Sequence, residues 1–327
     1  MNEVGGYNLF FSKEENLNKC FLFKNKHFKF ALARHSLIFL IKTFNFKRIY
    51  LPSYTCKSVS NILKDIHIEI YHYDIGSDFI PKDIKIGEND LLVVNNYFGF
   101  FDNNKKFLNF ISQFKYHQIL IDNTHSLFFK PMFKNNLSMI SPRKFLPLTD
   151  GGILYDPKKV LNDYFYPHEV DISWNRSNWL FRAFDEGGRN ESYEEYLKFR
   201  ESIQRITYKR MSKMTYSLIS HFNLKKIVLS KNKTFHILRQ KFGLPKIFND
   251  INFSNSSTPI AFPLEVKDNL AAQSYFKQRK IYTTCFWNTQ NSIFLNKFEH
   301  HLSTKILFLP LDMDLDIKEI RNGFLLF

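Results

Sequence analysis

The sequence is poor in cysteine, in long apolar runs and in flexible linkers. Its three cysteines, Cys20, Cys56 and Cys285, are odd in number and lack the spacing of a disulfide framework or a zinc site, so we expect a reducing compartment. The N-terminal segment has neither a basic start followed by an apolar core nor a small-residue cleavage site. Apolar stretches such as Leu37–Ile41 and Ile306–Leu311 are too short to span a bilayer. We therefore expect a cytoplasmic protein that does not insert into membranes.

The composition is that of a folded, basic protein. Hydrophobic residues make up 44% of the 327 residues and charged residues 24%, which excludes wholesale disorder. Aromatic residues make up 17%, and 37 residues are phenylalanine, so we expect a ring-rich core. The 46 lysines and arginines exceed the 31 acids by 15, which fits a cationic surface, an anionic macromolecule or a phosphorylated ligand. No zinc-finger, helix-turn-helix or RNA-binding pattern supports a nucleic-acid partner, and we expect none.

Strands and helices alternate along the first half of the chain. Strands are predicted at RIYLP from Arg48, at DLLVVNNY from Asp90 and at QILID from Gln118, with a helix over 105–114 between the last two. Strands separated by helical segments of this length are typical of βαβ units. The pattern therefore predicts an α/β fold around a mostly parallel sheet.

The pattern changes in the second half of the chain. Residues 157–244 are predicted to be mostly helical, and strands alternate with helices again from PIAFPLEV through IYTT to KILFLPLDM. No linker rich in proline, glycine or serine separates these parts. We predict a large domain over residues 1–235 and a small C-terminal α/β domain over residues 236–327.

An acid and a lysine occur where an active site is expected. Asp122 closes the apolar strand of ILIDNTHS, at the end of the strand where ligands bind in open α/β sheets. A carboxylate desolvated there needs a cationic partner, for which a protonated pyridine nitrogen is suitable. Lys144 lies next to Arg143 in SMISPRKFLPLTDGG, and desolvation or a cationic neighbour makes a lysine reactive towards carbonyls. Taken alone, each residue has an ordinary alternative, as a helix cap, an ion-pair partner or a surface lysine.

Three further positions have features of ligand-binding turns. Arg34 and His35 open a predicted helix in FALARHSLIFLIK, and a helix N-terminus attracts anions. Ser141, shortly before the lysine, is able to donate a hydrogen bond to a phosphate. Phe98 ends a predicted strand in VVNNYFGFFD, where its ring either lies beside a flat ligand or packs in the core.

The order of these segments resembles that of a known family. The helix start at ALARHS is followed by LPSYTC, YFG, the strand-ending Asp122 and a serine–x–x–lysine before Gly151 and Gly152. This order is similar to that of fold-type I pyridoxal-phosphate enzymes, and most closely to the DegT/StrS-like sugar aminotransferases. The similarity is good over residues 28–156, loose over TPIAFPL and ILFLPLDM, and fades over residues 160–250. It implies an α/β/α sandwich with a mostly parallel sheet and a smaller C-terminal α/β domain.

The resemblance also implies the cofactor, pyridoxal 5′-phosphate, and a role for each matched residue. Lys144 corresponds to the lysine that binds the cofactor covalently and then moves a proton. Asp122 corresponds to the acid that pairs with the protonated ring nitrogen and keeps the ring electron-withdrawing. The remaining cofactor-binding residues are Ala33, Arg34 and His35 at the phosphate turn, Ser141 on the phosphate, Cys56 and Phe98 beside the ring, and His125 after the acid.

The sequence departs from the family pattern at three places. Cys56 stands at the cofactor-contacting turn, which leaves Tyr54 or Phe98 to stack on the ring. Asp150 replaces the glutamate that usually precedes the Gly–Gly pair. The segment TYKRMS, which begins at Thr207, lacks the asparagine that reaches across the dimer in relatives.

The resemblance implies an enzyme that transfers an amino group from glutamate or glutamine to a keto group of a nucleotide-linked deoxy sugar. The product would serve surface polysaccharide, capsule or lipopolysaccharide O-antigen, and the enzyme would be a homodimer with shared active sites. The alternatives are a pyridoxal-phosphate enzyme of another reaction type and a cofactor-binding homologue with impaired catalysis. The dehydratases of the family carry histidine in place of the lysine, so Lys144 disfavours that branch.

Overall fold

The computed structural model describes residues 27–101, 104–128, 135–186, 192–249, 251, 257–287, 295–311 and 317–326. The strands are β1 (His27–Phe30), β2 (Arg48–Pro52), β3 (Glu69–Tyr73), β4 (Asp90–Asn95), β5 (Ile119–Asp122), β6 (Ser126–Phe128), β7 (Leu137–Ile140), β8 (Gly152–Tyr155), β9 (Ser257–Pro259), β10 (Phe262–Glu265) and β11 (Ile306–Leu309). The α-helices are α1 (His35–Phe44), α2 (Lys57–Asn61), α3 (Lys105–Ile111), α4 (Asn178–Asp185), α5 (Tyr193–Ser202), α6 (Lys213–Ile219), α7 (Leu224–Phe242), α8 (Asn269–Gln278), α9 (Lys297–Lys305) and α10 (Ile317–Leu326).

A seven-stranded sheet is the frame of the first half of the chain. Its strand order is β1–β8–β7–β5–β4–β2–β3, and the neighbours from β7 to β3 run parallel. Strand β8 is antiparallel to both β1 and β7. The central strands β4 and β5 are buried throughout, as expected for a parallel sheet covered on both faces. The prediction of an α/β fold with a mostly parallel sheet is confirmed.

The sheet gathers several loops at one edge. Because β8 runs opposite to both of its neighbours, β1 points the same way as β7 and the other parallel strands. In register, Asn95 at the end of β4 pairs with Asp122 at the end of β5, which pairs with Met139 of β7. The segments that follow β1, β2, β4, β5 and β7 therefore meet at this edge, which we call the carboxyl edge.

The C-terminal part of the chain, from β9 to α10, packs on the carboxyl edge. Strands β10 and β11 form an antiparallel pair, and the rings of Phe98 and Phe308 lie 4.4 Å apart across the contact. Buried residues of both parts form one apolar cluster, which includes Phe101 and Phe262. The division at residues 235 and 236 stays a prediction.

Two element predictions need correction. The strand predicted at IYTT is wrong: its pairing with the described residues is one isolated bridge from Thr284 to Phe308. The flanking Lys280 and Trp287 have positive φ angles of 59° and 47°. The strand predicted to run to residue 97 ends at Asn95, where the chain enters a 3₁₀ turn. Among the described residues, no helix combines the length and the apolar character needed to cross a membrane.

Candidate active site

The side chains of Lys144 and Asp122 both form hydrogen bonds with Thr124. Asp122 ends β5 with its side chain buried, and its Oδ1 accepts a hydrogen bond of 2.8 Å from the Thr124 backbone N–H. Lys144 ends a 3₁₀ turn that starts at Pro142, and its Nζ donates to the Thr124 hydroxyl at 3.2 Å. The parallel pairing of β5 with β7 puts the two turns side by side. The structure thus brings together the two residues for which the sequence predicts catalytic roles.

The surroundings of Lys144 favour a reactive amine. Its side chain is accessible, yet protein surrounds it closely enough that desolvation is the main cause that lowers its pKa to about 8. Asp122 and Cys56 oppose this shift, and Arg143 contributes to it as a smaller cause. Near neutral pH an appreciable fraction of the amine is therefore unprotonated and nucleophilic.

The carboxyl group of Asp122 lacks the solvation that an ion prefers. Burial raises its pKa, and the nearby Lys144 together with the hydrogen bonds from Thr124 acts in the opposite direction. A buried carboxylate of this kind is stabilised by a cation or a charged N–H donor.

The turn before α1 is held against the sheet by two glycines. Gly151 has a φ angle of 120°, and its N–H donates to Ala31 at 2.6 Å. A Cβ atom on Gly152 would lie 2.2 Å from the backbone nitrogen of Ala33, so only glycine fits there. Within the turn, the N–H of His35 donates to Leu32 at 3.0 Å. The Gly–Gly pair therefore fixes the start of α1 at the carboxyl edge.

The side chains of the same turn reach towards the helical middle of the chain. Arg34 is 9% exposed and donates from Nη2 to the carbonyl of Ile203 at 2.8 Å. His35 is fully buried and packs edge-on against Tyr208, with ring centroids 6.0 Å apart. Burial and, to a lesser extent, the neighbouring Arg34 lower the pKa of His35 to about 4, so the ring is neutral.

Cys56 and Ser141 also lie at the carboxyl edge. Cys56 precedes α2, its Sγ lies 3.1 Å from the hydroxyl of Ser58, and its thiol interacts electrostatically with Lys144 and Arg34. Ser141 is buried at the start of the Lys144 turn, and its carbonyl accepts the Lys144 N–H at 3.1 Å. Both predicted cofactor-binding positions are thus beside the lysine.

His125 lies in a cluster of aromatic rings. Trp287 stacks on it with centroids 5.0 Å apart, Phe98 stacks at 6.0 Å, and Phe286 packs at 4.6 Å. The Nδ1 atom of His125 is buried and has no hydrogen-bond partner within the described part of the chain. Burial and the charge of Lys144 put its pKa well below the ordinary value, so the imidazole is neutral.

The rings that the sequence offers for stacking on the cofactor are fully buried. Tyr54 stacks on Tyr97 at 5.9 Å and donates to the carbonyl of Phe286 at 3.2 Å. Phe98 has a left-handed backbone with a φ angle of 58°, an unusual conformation that sets its ring over His125. The stacking role of either ring stays a prediction.

Asp150 stabilises the start of α6 through hydrogen bonds. Its carboxylate accepts hydrogen bonds from the backbone and hydroxyl of Ser212, at 2.7 and 2.8 Å, and from the hydroxyl of Thr215. Ser212 also caps α6, so this acid anchors that helix beside Gly151. The segment TYKRMS ends in this anchor.

Two residues of the site were missed in the sequence. Thr124 follows Asp122 by two positions, and an acid two residues before a backbone N–H often closes a turn, so the pattern offers a signal for it. Trp287 gives no local signal, since it reaches His125 only through the packing of the C-terminal part.

Comparison with known proteins identifies the fold. No protein-family model matches the chain, and no curated protein matches it in sequence. Solved structures do match the chain in fold. A DegT/DnrJ/EryC1/StrS aminotransferase from Brucella abortus has a TM-score of 0.58 at 10% sequence identity, and the alignment covers 95% of this chain and 87% of that protein. Spr1654 from Streptococcus pneumoniae in its PMP form has a TM-score of 0.62 at 11% identity, covering 95% and 89%. DesI, solved in the presence of its TDP-sugar product, has a TM-score of 0.60 at 12% identity, covering 96% and 82%. The chain thus has the fold of the DegT/StrS-like aminotransferases.

Proposed function

We propose that this protein is a pyridoxal 5′-phosphate-dependent aminotransferase. The observation that carries the proposal is the convergence of the Lys144 amine and the Asp122 carboxyl group on Thr124. This pair lies at the carboxyl edge of a sheet whose fold is shared with aminotransferases, one of them solved in a PMP form. Ligands of open α/β sheets bind at that edge.

The residues present fit this cofactor. Asp122, a buried carboxyl group with a raised pKa, suits a protonated ring nitrogen, and Lys144, with a pKa near 8, suits the aldehyde. The turn from Ala33 to His35 and the nearby Ser141 are the proposed holders of the phosphate. When bound, the cofactor supplies an electron-withdrawing ring that stabilises negative charge on the substrate carbon.

In this proposal, each side chain around the cofactor ring has a different role. Asp122 orients the ring by accepting the N–H of its nitrogen. Lys144 Nζ first holds the cofactor and then carries a proton, because a pKa near 8 lets it both accept and release one near neutral pH. Phe98, Phe286 and Trp287 exclude water from the side of the site around His125.

For the substrates, we propose glutamate or glutamine as the donor and a keto group of a nucleotide-linked deoxy sugar as the acceptor. DesI, which shares the fold, was solved with a TDP-sugar product, and the net charge of +15 suits a diphosphate. A role in making surface polysaccharide, in the cytoplasm where such nucleotide sugars are made, completes the proposal.

We also propose a homodimer. Helix α4 has no buried residue, and its Phe184 is 87% exposed, beside a segment in which Tyr164 is 80% and Trp174 is 70% exposed. Exposed apolar surface of this kind is typical of an interaction site. Analytical ultracentrifugation tests the proposal: wild type should sediment as a dimer and Phe184→Asp as a smaller species.

The absorption spectrum tests cofactor binding. Wild type incubated with pyridoxal phosphate should gain a near-visible band that borohydride bleaches, and peptide mapping should then find the label on Lys144. Lys144→Ala should lack the band, whereas Lys213→Ala, an exposed lysine at the start of α6, should keep it. A band that persists in Lys144→Ala, or none in wild type, refutes the proposal.

Incubation with glutamate separates transamination from the alternatives. An aminotransferase should form 2-oxoglutarate and lose the near-visible band. A retained band without 2-oxoglutarate, from glutamate or from glutamine, would point to another reaction type or to a homologue with impaired catalysis.

A further inference from the structure

Most of the positive charge of the protein lies in one segment. Residues 202–249 contain eleven lysines and arginines and neither aspartate nor glutamate. The excess of basic over acidic residues in the whole chain is 15, so this segment supplies most of it. Six of the eleven belong to α7, the longest helix among the described residues. Helices that contact only water usually interleave the two signs of charge, so cations without acids indicate a partner.

Packing determines which side of α7 faces outward. The buried side includes Leu224, Val228, Phe235 and Leu238. The ring of Phe235 lies 5.4 Å from that of Phe262 in β10, which holds this side against the C-terminal part. The exposed side carries Lys226, Leu229, Lys233 and Ile237. Positions three, four or seven apart share one face of a helix, so these four residues form a single outward face, which we call the basic face.

The basic face is electrostatically unfavourable without a partner. Lys225 and Lys226 lie in the first turn of α7, which contains no acid and where the positive end of the helix dipole disfavours cations. Lys226 and Lys233 form no ion pair with a carboxylate among the described residues. An anionic surface laid against the basic face would relieve both effects.

The composition of the basic face favours lipid headgroups over a nucleic acid. Leu229 and Ile237 are exposed among the lysines, and the boundary between headgroups and acyl chains accommodates such apolar side chains. The phosphates of a nucleic acid offer them no apolar contact. Five of the six basic residues of α7 are lysines, which attract an anionic surface as point charges and lack the fork with which arginine recognises a phosphate.

We propose that the basic face of α7 binds the surface of a membrane that contains anionic lipids. The helix lies flat on the headgroups, with its lysines near the lipid phosphates and Leu229 and Ile237 at the boundary with the acyl chains. This inference goes beyond the proposed aminotransferase function and does not depend on it, because binding requires the folded protein and neither cofactor nor substrate.

Co-sedimentation with lipid vesicles tests the proposal. One set of vesicles contains equal amounts of phosphatidylglycerol and phosphatidylcholine, and the other contains phosphatidylcholine alone. The double variant Lys226→Glu/Lys233→Glu reverses the charge of the basic face. Its control, Lys105→Glu/Lys106→Glu, makes the same change in net charge at two exposed positions of α3. Thermal unfolding checks that each variant folds, and Lys226→Gln/Lys233→Gln replaces the first variant if it does not.

Wild type should sediment with the anionic vesicles and stay in solution with the neutral ones, and added salt should weaken the binding. The Lys226→Glu/Lys233→Glu variant should bind the anionic vesicles about tenfold or more weakly than wild type, and the control should lose much less. Wild type that stays in solution with both kinds of vesicle overturns the proposal. An equal loss in the control overturns it too, because the position of the charges would then not matter.

The variant Leu229→Gln separates a bilayer from a nucleic acid, since it keeps every charge. It should bind the anionic vesicles about threefold or more weakly than wild type, whereas Leu270→Gln, at an exposed leucine of α8, should bind as wild type does. Binding by Leu229→Gln that equals wild type would mean that the basic face attracts any polyanion. Tighter binding of wild type to duplex DNA than to vesicles at the same phosphate concentration would identify a nucleic acid. Either result overturns the proposal.

Discussion

The indole of Trp287 lies parallel to the imidazole of His125, with ring centroids 5.0 Å apart and 14° between the planes. Trp287 comes from the C-terminal part of the chain and His125 from the turn that carries Asp122 and Thr124. Tyr54 also contacts this indole edge-on, at 4.9 Å. Aromatic packing therefore couples the C-terminal part to the candidate active site.

Replacing Trp287 should destabilise the fold. Trp287→Ala removes the ring contacts with His125, Tyr54 and Tyr97, so we expect the free energy of unfolding to fall by about 2 kcal/mol. Guanidinium denaturation measures the change, and Trp287→Phe should lose less. Tyr71→Ala, a 45% exposed aromatic on β3, is the control and should cost less than about 1 kcal/mol. An equal loss in both alanine variants would contradict the prediction.

The reactivity of Lys144 should depend on pH with a midpoint near its lowered pKa. In the cofactor-free protein, labelling by an amine-selective reagent should rise as the pH passes about 8. Asp122 raises this pKa and Arg143 lowers it, so Asp122→Asn should move the midpoint down and Arg143→Gln should move it up. Mass spectrometry of the labelled peptide gives the profile, with Lys213 as the internal reference. Midpoints that stay fixed or move the other way would disprove this account.

Glu299 should make the stability of the protein depend on pH. Its buried carboxyl group, in the first turn of α9, accepts from the Ile75 N–H at 3.0 Å, and burial raises its pKa from 4.5 to about 7. The folded state holds this proton to a higher pH than the unfolded state does. The contribution of protonated Glu299 to the free energy of unfolding is therefore fully present below pH 4.5 and is lost as the pH rises through about 7.

The variant Glu299→Gln stays neutral, so its stability should fall less than that of wild type over this interval. Urea denaturation at about pH 5 and about pH 8 measures the difference. Glu194→Gln, at an exposed position of α5, should behave as wild type does. If Glu299→Gln follows the wild-type pH dependence, the carboxyl group is not the cause.

Gly152 should not tolerate a side chain. In Gly152→Ala the new Cβ would lie 2.2 Å from the Ala33 nitrogen, so the start of α1 must move away from β8. We expect a loss of about 3 kcal/mol in unfolding free energy, or failure to fold. Gly87→Ala meets side-chain atoms of Arg48 and Asp90 at 3.2 Å and should cost about 1 kcal/mol at most. Comparable stability of the two variants would argue against the close approach.

Much of the fold could be predicted from the sequence. The strands that end at the site are short apolar runs, such as DLLVVN from Asp90 and ILID from Ile119, and local pattern reveals such runs. The strand order could not be predicted, because β1 pairs with β8 rather than with a neighbour in sequence. The IYTT segment has strand-forming residues but no continuous partner strand among the residues that the structure describes, which local pattern does not reveal.

The candidate site was predictable to a similar extent. Asp122, Lys144 and the start of α1 lie at strand ends, and a parallel sheet brings such ends together. The sequence also showed the cation next to Lys144. It did not show that Arg143 and Arg34 form no ion pair with a carboxylate among the described residues, since that depends on side chains far apart along the chain. The contact of Trp287 with His125 could not be predicted for the same reason, because the two residues are far apart in the sequence.

The pairing of β1 with β8 has a consequence for the order of assembly during translation. A nascent chain that has emerged only as far as Lys144 already contains Asp122 and the lysine, but β1 has no strand to pair with until Gly152–Tyr155 leaves the ribosome. Pairings between such distant segments form slowly. The turn before α1 is therefore fixed late, once β1 has paired with β8. The stacking contact on His125 forms later still, because it requires that Trp287 has been synthesised.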